Sequence, residues 1–431
     1  MIFGIFVLLG AAIATFYLFN TGQMTAEKTK LVNTADAVAY SAGVMHARAL
    51  NFEAYTNRAL LANEATIAQM VSIASWLEYS KEHIDRVPAM MCYYGSYTPI
   101  PVWLATERYA LLCYAISNYP LGGEYAVEVA DLAFNATHAG AIAVYAAEIA
   151  KKELKIMQAT AATGLFLARG KLMREVADAN YQDNGSVSVD TVPLLDNWTS
   201  FDGGAFISKR SGNQRDRMRS VIFDVVGRDG FVTKRAWSDK SPWPCSIPIG
   251  EATRTGATQL RNFDRWEAND DASYRVRELK LRGLSLRCRT TATYGLGSGS
   301  LRTSSTEGQE WYYSGVPEFY ELSDAALDYS AASGGPRLQF SIRVTRANGD
   351  TRTSGNASLV KPTGRLDRFD SAAAGGVLAA VSTSEVFFER QREENGAVEL
   401  GSLFNPYWQV HLVNNPPDVT AAAWAKQGAT P

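Results

Sequence analysis

The sequence predicts an α+β protein: a long N-terminal hydrophobic and amphipathic helix, a second alanine-rich helical segment, and then a mainly antiparallel β domain. Three observations predict it. The chain opens on an uncharged apolar run, small and apolar residues then recur at helical spacing, and the later half contains short alternating runs separated by Gly and Ser. We expect three domains, residues 1–87, 88–181 and 182–431.

The first 19 residues are long and apolar enough to span a membrane. The first charged side chain is Glu27, and a bilayer core needs about 20 apolar helical residues. The run lacks the basic start and the small-residue cleavage site of a secretory signal peptide. It is therefore either a membrane anchor or the buried core helix of a filament.

The same helical pattern continues beyond the apolar run and predicts a packing seam. Small or apolar residues recur at intervals of three, four or seven, as they do on helices that lie against other helices. Pro88 is the first proline of the chain and should end the helix. We predict that assembly uses Ile2, Phe3, Ile5, Phe6, Leu9, Ile13, Phe16, Leu31, Ala35, Val38, Ala42, Met45, Ala49 and Phe52.

The charges beside the apolar run conflict with export of the chain that follows it. The basic flank of a membrane-spanning helix usually stays in the cytoplasm. Lys28 and Lys30 lie on the C-terminal side of the run, so this rule would place the rest of the chain in the cytoplasm. A basic leader upstream of Met1 that is later cleaved would resolve the conflict, and the uncharged start of the chain motivates this hypothesis.

Composition limits the classes of function. The 431 residues are 46% hydrophobic with a formal charge of -2, which suits an ordered core and gives no reason to expect nucleic acid as a partner. A mean hydropathy of -0.14 excludes a polytopic membrane protein.

The four cysteines fall into two local pairs. Cys92 with Cys113 and Cys245 with Cys288 each bracket a stretch rich in Pro, Gly and aromatic residues, where a disulfide would restrain the loop. Four cysteines allow three pairings, of which we favour this sequential one; four reduced thiols are the alternative. No spacing suggests zinc.

The sequence from Gly22 to Ala42, which follows an apolar helix, resembles the N-terminal region of Tad pilus proteins of the TadE/TadG kind. The resemblance includes the ADA core at Ala35-Asp36-Ala37 and covers about the first 60 residues of the chain. The C-terminal stretch from Leu403 to Gln409 also resembles the tail of large members. The resemblance implies a type IV pilin-like protein.

Two features depart from related families. Type IV pilins carry a glutamate at the fifth mature position, where this chain has Ile5, so register would have to be set without that ion pair. No DxSxS metal motif of a von Willebrand type A domain occurs. We therefore expect no metal-dependent adhesion.

The second helical pattern runs from Glu124 to Tyr181, after an aromatic stretch between Pro88 and Pro120. Beyond it, three runs predict strands, namely 220–226, 338–344 and 385–388. Asn348-Gly349-Asp350 predicts a hairpin turn.

No catalytic, cofactor or metal site is expected. His46, His83, His138 and His411 share no ligand spacing, and they are better explained as solvated or hydrogen-bonded histidines. The glycines at 295–299 are best explained as a loop, and Glu385, Glu389, Glu393 and Glu394 as a charged surface strand and loop. Sequons at Asn135, Asn184, Asn197 and Asn356 carry no expected glycan, although surface exposure would permit one.

These observations together predict a non-enzymatic structural subunit of a Tad-like extracellular filament, assembled through its N-terminal helix. The alternative is a membrane-anchored assembly or adhesion protein that is a minor component. The expected partners are copies of the chain, the membrane before assembly and the pilus assembly machinery, and no cofactor is expected. The expected location is the bacterial cell surface, with an inner-membrane-anchored precursor.

Overall fold

The computed structural model describes residues 2–87, 123–182, 185–190, 194–202, 204–240, 249–282, 285–327, 335–347, 350–351, 377–389 and 399–426. Within these ranges only the backbone is described at 123–126, 239–240, 249–250, 276–288 and 291.

The first helix, α1, spans Ile2–Val87 without interruption. Its last residue directly precedes Pro88, whose ring and missing N–H cannot continue a helix, so the predicted end is confirmed. The second helical segment is also confirmed. It comprises α2 (Gly123–Asp131), a π-helical turn (Leu132–Ala136) and α3 (Ala139–Asn180).

The chain forms two compact units that each combine distant segments. Unit 1 contains residues 1–57, 156–210 and 320–431, and unit 2 contains residues 58–155 and 211–319. These units cut across the three domains expected from the sequence, because α1 and α3 each contribute residues to both units. The three-domain division stays a prediction.

Unit 1 is built on a five-stranded antiparallel sheet. Its strands are β1 (Ser188–Val189), β2 (Leu195–Asp196), β9 (Arg337–Ala347), β10 (Val377–Phe388) and β11 (Trp408–Val413). The order is β1-β9-β10-β11, and β2 also pairs with β9. A smaller sheet joins β3 (Ile207–Arg210) to β8 (Phe319–Leu322), and α6 (Pro417–Lys426) completes the chain.

The unit 1 core lies between α1, α3 and this sheet. Leu31, Ala35 and Val38 of α1 are fully buried with Ile342 and Val344 of β9. The helix approaches the sheet so closely at Gly43 that an added Cβ would lie 2.5 Å from Cγ2 of Val410. Small α1 residues therefore permit close contact between helix and sheet.

Unit 2 contains a four-stranded antiparallel sheet in the order β4-β5-β6-β7. Its strands are β4 (Trp237–Lys240), β5 (Ile249–Arg261), β6 (Arg265–Arg282) and β7 (Ser285–Arg302). A 3₁₀ turn (Gly212–Arg215), α4 (Asp216–Val226) and α5 (Gly230–Thr233) precede the sheet.

A buried ion cluster connects three parts of unit 2. Lys151 Nζ lies 2.6 Å from Glu64 Oε1 and 2.7 Å from Glu148 Oε1, and it donates to the Gly315 carbonyl at 3.0 Å. Tyr313 donates to Glu64 at 2.8 Å. Every donor of the lysine has a partner, as a buried ammonium requires.

Two strand-level expectations are confirmed and two local interpretations are wrong. The runs at 338–344 and 385–388 lie in β9 and β10. The run at 220–226 is part of helix α4, because Met218, Ile222 and Val226 recur every four residues and are buried together. The glycines at 295–299 lie in strand β7, where Gly297 and Gly299 let the backbone of α1 approach. The expected turn at 348–350 lies largely outside the described residues.

Candidate functional site: the exposed stem and the adjoining groove

The first part of α1, residues 2–19, is here called the stem and is exposed on all sides. Phe3 is 81% exposed, and Phe19 at the other end is still 52% exposed. The stem lies in a segment with a mean hydropathy of 2.4 and no buried residues, and by length and composition it could cross a membrane. Eighteen residues at 1.5 Å rise give about 27 Å, close to the roughly 30 Å hydrocarbon core of a bilayer.

Burial begins abruptly after the stem. Asn20, Met24, Lys28 and Leu31 are buried, with Lys28 and Leu31 fully so. Their spacing of four, four and three residues places them on one face of the helix. The folded unit therefore begins within one turn of the apolar segment.

The residues directly after the stem are held by polar contacts within unit 1. Lys28 Nζ donates to the Ala379 carbonyl at 2.6 Å, and Lys30 Nζ lies 4.3 Å from the ring centroid of Tyr181. Glu27 pairs with Arg346 at 3.1 Å. Lys28 is thus a buried structural cation rather than a free flanking charge, which weakens the topology argument drawn from the sequence.

The predicted assembly residues separate into three groups. Those from Ile2 to Phe16 lie on the exposed stem. Leu31, Ala35, Val38 and Ala42 are each 0% exposed in the unit 1 core, where the chain's own sheet already occupies them. Met45, Ala49 and Phe52 are partly exposed and line a groove between α1 and α3. The middle group is therefore not available to another subunit in this structure.

This groove encloses about 960 Å³ within unit 1 and is mainly apolar. Small residues of α3 recur along it at Ala161, Gly164 and Ala168, spaced three and four apart, as neighbours on one helix face. Lys171 and Glu175 pair with each other 3.6 Å apart at its edge. The lining residues are Tyr40, Ser41, Val44, Met45, Arg48, Ala49 and Phe52 of α1 and Thr160, Ala161, Gly164, Leu165, Ala168, Lys171, Leu172 and Glu175 of α3.

Sequence reasoning missed the α3 side of the groove. The small residues were visible as part of the second alanine-rich pattern, but their pairing with α1 depends on tertiary contact. The three-four spacing of Ala161, Gly164 and Ala168 is the signal that could have identified the face.

Asparagines of α1 bind the C-terminal segment singled out in the sequence. Asn51 exchanges hydrogen bonds with the backbone of Trp408 at 3.0 and 3.1 Å. Asn57 donates to the carbonyls of Tyr320 and Leu403 at 2.9 and 2.7 Å, and Gln158 donates to its side-chain oxygen at 2.7 Å. These contacts hold the tail against the helix that also forms the groove.

Glu53 is a buried carboxyl one turn before Asn57. It is 1% exposed, and neither carboxyl oxygen has a hydrogen-bond partner among the described residues. Burial raises the pKa of Glu53 to about 8, because an unpaired charge is poorly solvated there. Glu53 is therefore mostly protonated at neutral pH.

His46 is buried beside an ion pair between α3 and β2. Arg169 bonds both carboxylate oxygens of Asp196 and also donates to His46 Nε2 at 2.9 Å. Burial, with the Arg169 charge second, lowers the pKa of His46 to about 3. His46 is thus a neutral core histidine, in line with the sequence interpretation.

Glu385 also differs from its sequence interpretation as a surface carboxylate. It is 4% exposed and bonds Gln339 at 2.8 Å as well as Arg337 and His411. Hydrogen bonds from these three side chains lower its pKa against the opposing effect of burial, which is the largest single contribution. The carboxylate therefore serves to join strands.

Other predicted sites are tested only in part. Cys92, Cys113 and Cys245 lie outside the described residues, as does the side chain of Cys288, so the disulfide pairing stays a prediction. In the described part of the chain, no group of three or more His, Cys, Asp or Glu residues could hold a metal ion.

Comparison with known families finds a match that covers the stem and the part of α1 that follows it. The family model described as "Putative Flp pilus-assembly TadE/G-like" matches residues 1–49. This confirms the resemblance noted in the sequence for the N-terminal part of α1. The match ends within α1, so it covers the stem and part of the groove but none of the sheets. No curated protein and no solved structure matches the chain.

Proposed function

We propose that this protein is a non-enzymatic, pilin-like structural subunit of a Tad-like filament. In this role the stem holds the protein in the membrane before assembly and is then transferred into the filament, where burial against protein replaces lipid. The folded units form the surface of the filament.

The proposal rests on the abrupt change from exposed to buried side chains between Phe19 and Asn20. An uncharged helix of about 27 Å projects from unit 1 with its large apolar side chains exposed. Such a surface requires lipid or protein around it. The TadE/G-like match over the same residues supports protein as the final partner.

A charge in the stem tests its role in membrane insertion. Leu9→Arg places a cation near the middle of the stem, where insertion is disfavoured by about 2.5–3.5 kcal/mol. We expect the variant to be lost from the membrane fraction and from sheared surface filaments. Leu400→Arg is the matched control because Leu400 is 75% exposed on the folded body. Normal membrane and filament yields for Leu9→Arg would refute the proposal.

A second candidate is an accessory protein that stays anchored in the membrane. The burial of Leu31, Ala35, Val38 and Ala42 against the chain's own sheet favours it, since these residues contribute nothing to a filament core. Shearing native cells and quantifying the chain by mass spectrometry separates the two candidates. Recovery in purified filaments supports the subunit, whereas retention in the membrane fraction supports the accessory protein.

A further inference from the structure

We propose that the groove of unit 1 receives the stem of a second copy of this chain. The inference rests on the proposed filament function and specifies the contact that would build the filament. Stem and groove are two surfaces of unit 1, one a projecting apolar helix and the other an apolar channel between two helices.

The shape of the groove suits a third helix. Ala161, Gly164 and Ala168 leave room along α3, and a Cβ added at Gly164 would meet no atom within 4 Å. Small residues at this spacing allow helix backbones to approach closely. Met45 and Phe52 of α1 supply larger apolar side chains along the opposite side, so a docked helix would contact both walls.

The stem matches the groove in length. From Tyr40 to Phe52, α1 advances about 18 Å, and from Thr160 to Glu175, α3 advances about 22 Å. The stem, at about 27 Å, is long enough to fill this channel. Its apolar side chains would then be covered by protein over most of their length.

The stem also matches the groove in charge. It carries no charged residue, and none occurs before Glu27. At the groove, Lys171 and Glu175 neutralise each other, and Arg48 is exposed to solvent. An uncharged helix can therefore occupy the groove beside the Lys171–Glu175 pair, while the long Arg48 side chain can keep its guanidinium in water.

The position of both surfaces on α1 determines the symmetry. The middle of the stem lies near residue 10 and the middle of the groove near residue 46, so about 54 Å of helix separates them. A contact between two different surfaces of identical chains is heterologous and repeats without closing unless rotation returns it to the start. Stem-in-groove docking therefore generates open chains of subunits wherever the stem of each copy enters the groove of the next copy rather than the two copies exchanging stems.

Cysteine cross-linking in cells tests this contact directly. Gly164→Cys is combined with single cysteines scanned from Leu9 to Phe16, which covers two helical turns, so an unknown register does not decide the result. Sheared filaments and membranes are oxidised and separated on non-reducing gels. We expect at least one pair to give a ladder of multimers that reducing agent collapses to monomer.

A matched control uses Gly170→Cys with the same scan. Gly170 is also open on α3, with no atom within 4 Å of an added Cβ, but it does not line the groove. These pairs and each single variant should give no ladder. Filaments that contain the protein but give no Gly164 ladder would overturn the docking and leave the proposed function standing. Dimers from stem cysteines alone, without a ladder, would likewise overturn it and indicate stem–stem pairing.

Filling the groove gives a second test that does not depend on cross-linking. Ala168→Trp places an indole in the channel, and Ala421→Trp places one at an exposed position on α6. We expect the first variant to stay folded by circular dichroism and protease resistance and to lose at least tenfold in filament yield. The second variant should retain normal yield. Normal filaments from a folded Ala168→Trp protein would overturn the inference. The occupant of the groove would then be a lipid or another protein rather than a second stem.

Discussion

Replacing Glu53 by Gln should stabilise unit 1, and the gain should grow with pH. The pKa of Glu53 is about 8 in the folded chain against 4.5 for the ordinary carboxyl. Below pH 4.5 both states hold the proton, and no penalty arises. As pH rises the unfolded chain releases its proton first, so folding stability falls until the folded carboxyl also ionises near pH 8.

The size of this effect follows from 1.36 kcal/mol per pKa unit. Over the 2.5 units between 4.5 and pH 7, the penalty is about 3 kcal/mol, and above pH 8 it approaches about 5 kcal/mol. Gln has nearly the same shape and carries no charge, so Glu53→Gln should remove the penalty. We expect a gain of about 1 kcal/mol at pH 5.5 and about 3 kcal/mol at pH 7.

Urea unfolding of the full chain in detergent, followed by tryptophan fluorescence at pH 5.5, 7.0 and 8.5, measures these gains. Trp198 and Trp408 are buried in unit 1 and report on it. Glu153→Gln, at an exposed position of α3, is the control and should change little at any pH. A Glu53→Gln gain that is the same at pH 5.5 and pH 8.5 would show that the carboxyl is already solvated or paired.

Three further perturbations test other parts of the structure. Lys151→Met leaves two glutamates without their buried cation and should lower the free energy of unfolding by about 3–5 kcal/mol. This loss is measured as faster hydrogen exchange in strands β6 and β7, and unchanged exchange would contradict a buried ion cluster. Gly43→Ala should destabilise unit 1 by about 1–3 kcal/mol because its Cβ meets Val410. Gly22→Ala has open space around its Cβ and should stabilise the helix by about 1 kcal/mol. Equal shifts in the melting temperatures of the two variants would refute the close approach of α1 to the sheet at Gly43. His46 should stay neutral in the folded chain at pH 5, because its pKa is about 3. Because the unfolded chain binds this proton near pH 6.5, the free energy of unfolding should be highest above pH 6.5 and fall as the pH drops toward 3. A cationic His46 imidazole signal in NMR spectra at pH 5 would contradict the lowered pKa.

Several features were determined by the sequence alone because they depend on local pattern. The apolar run predicted the helix of the stem, and Pro88 predicted the end of α1, since proline cannot continue a helix. Alternation specified β9 and part of β10. Alternation wrongly predicts a strand at 220–226, where a four-residue repeat places one face of helix α4 in the core.

Tertiary structure alone decided which surfaces of the helices remain free. From Leu31 to Phe52 the sequence shows a single pattern of small and apolar residues at helical spacing. In the structure, the sheet of unit 1 covers the first part of this face and leaves Met45, Ala49 and Phe52 beside a groove. Burial is set by residues hundreds of positions away, such as Ala379, whose carbonyl accepts from Lys28. Periodicity reveals that a helix face must be covered, but the partner that covers it depends on long-range packing.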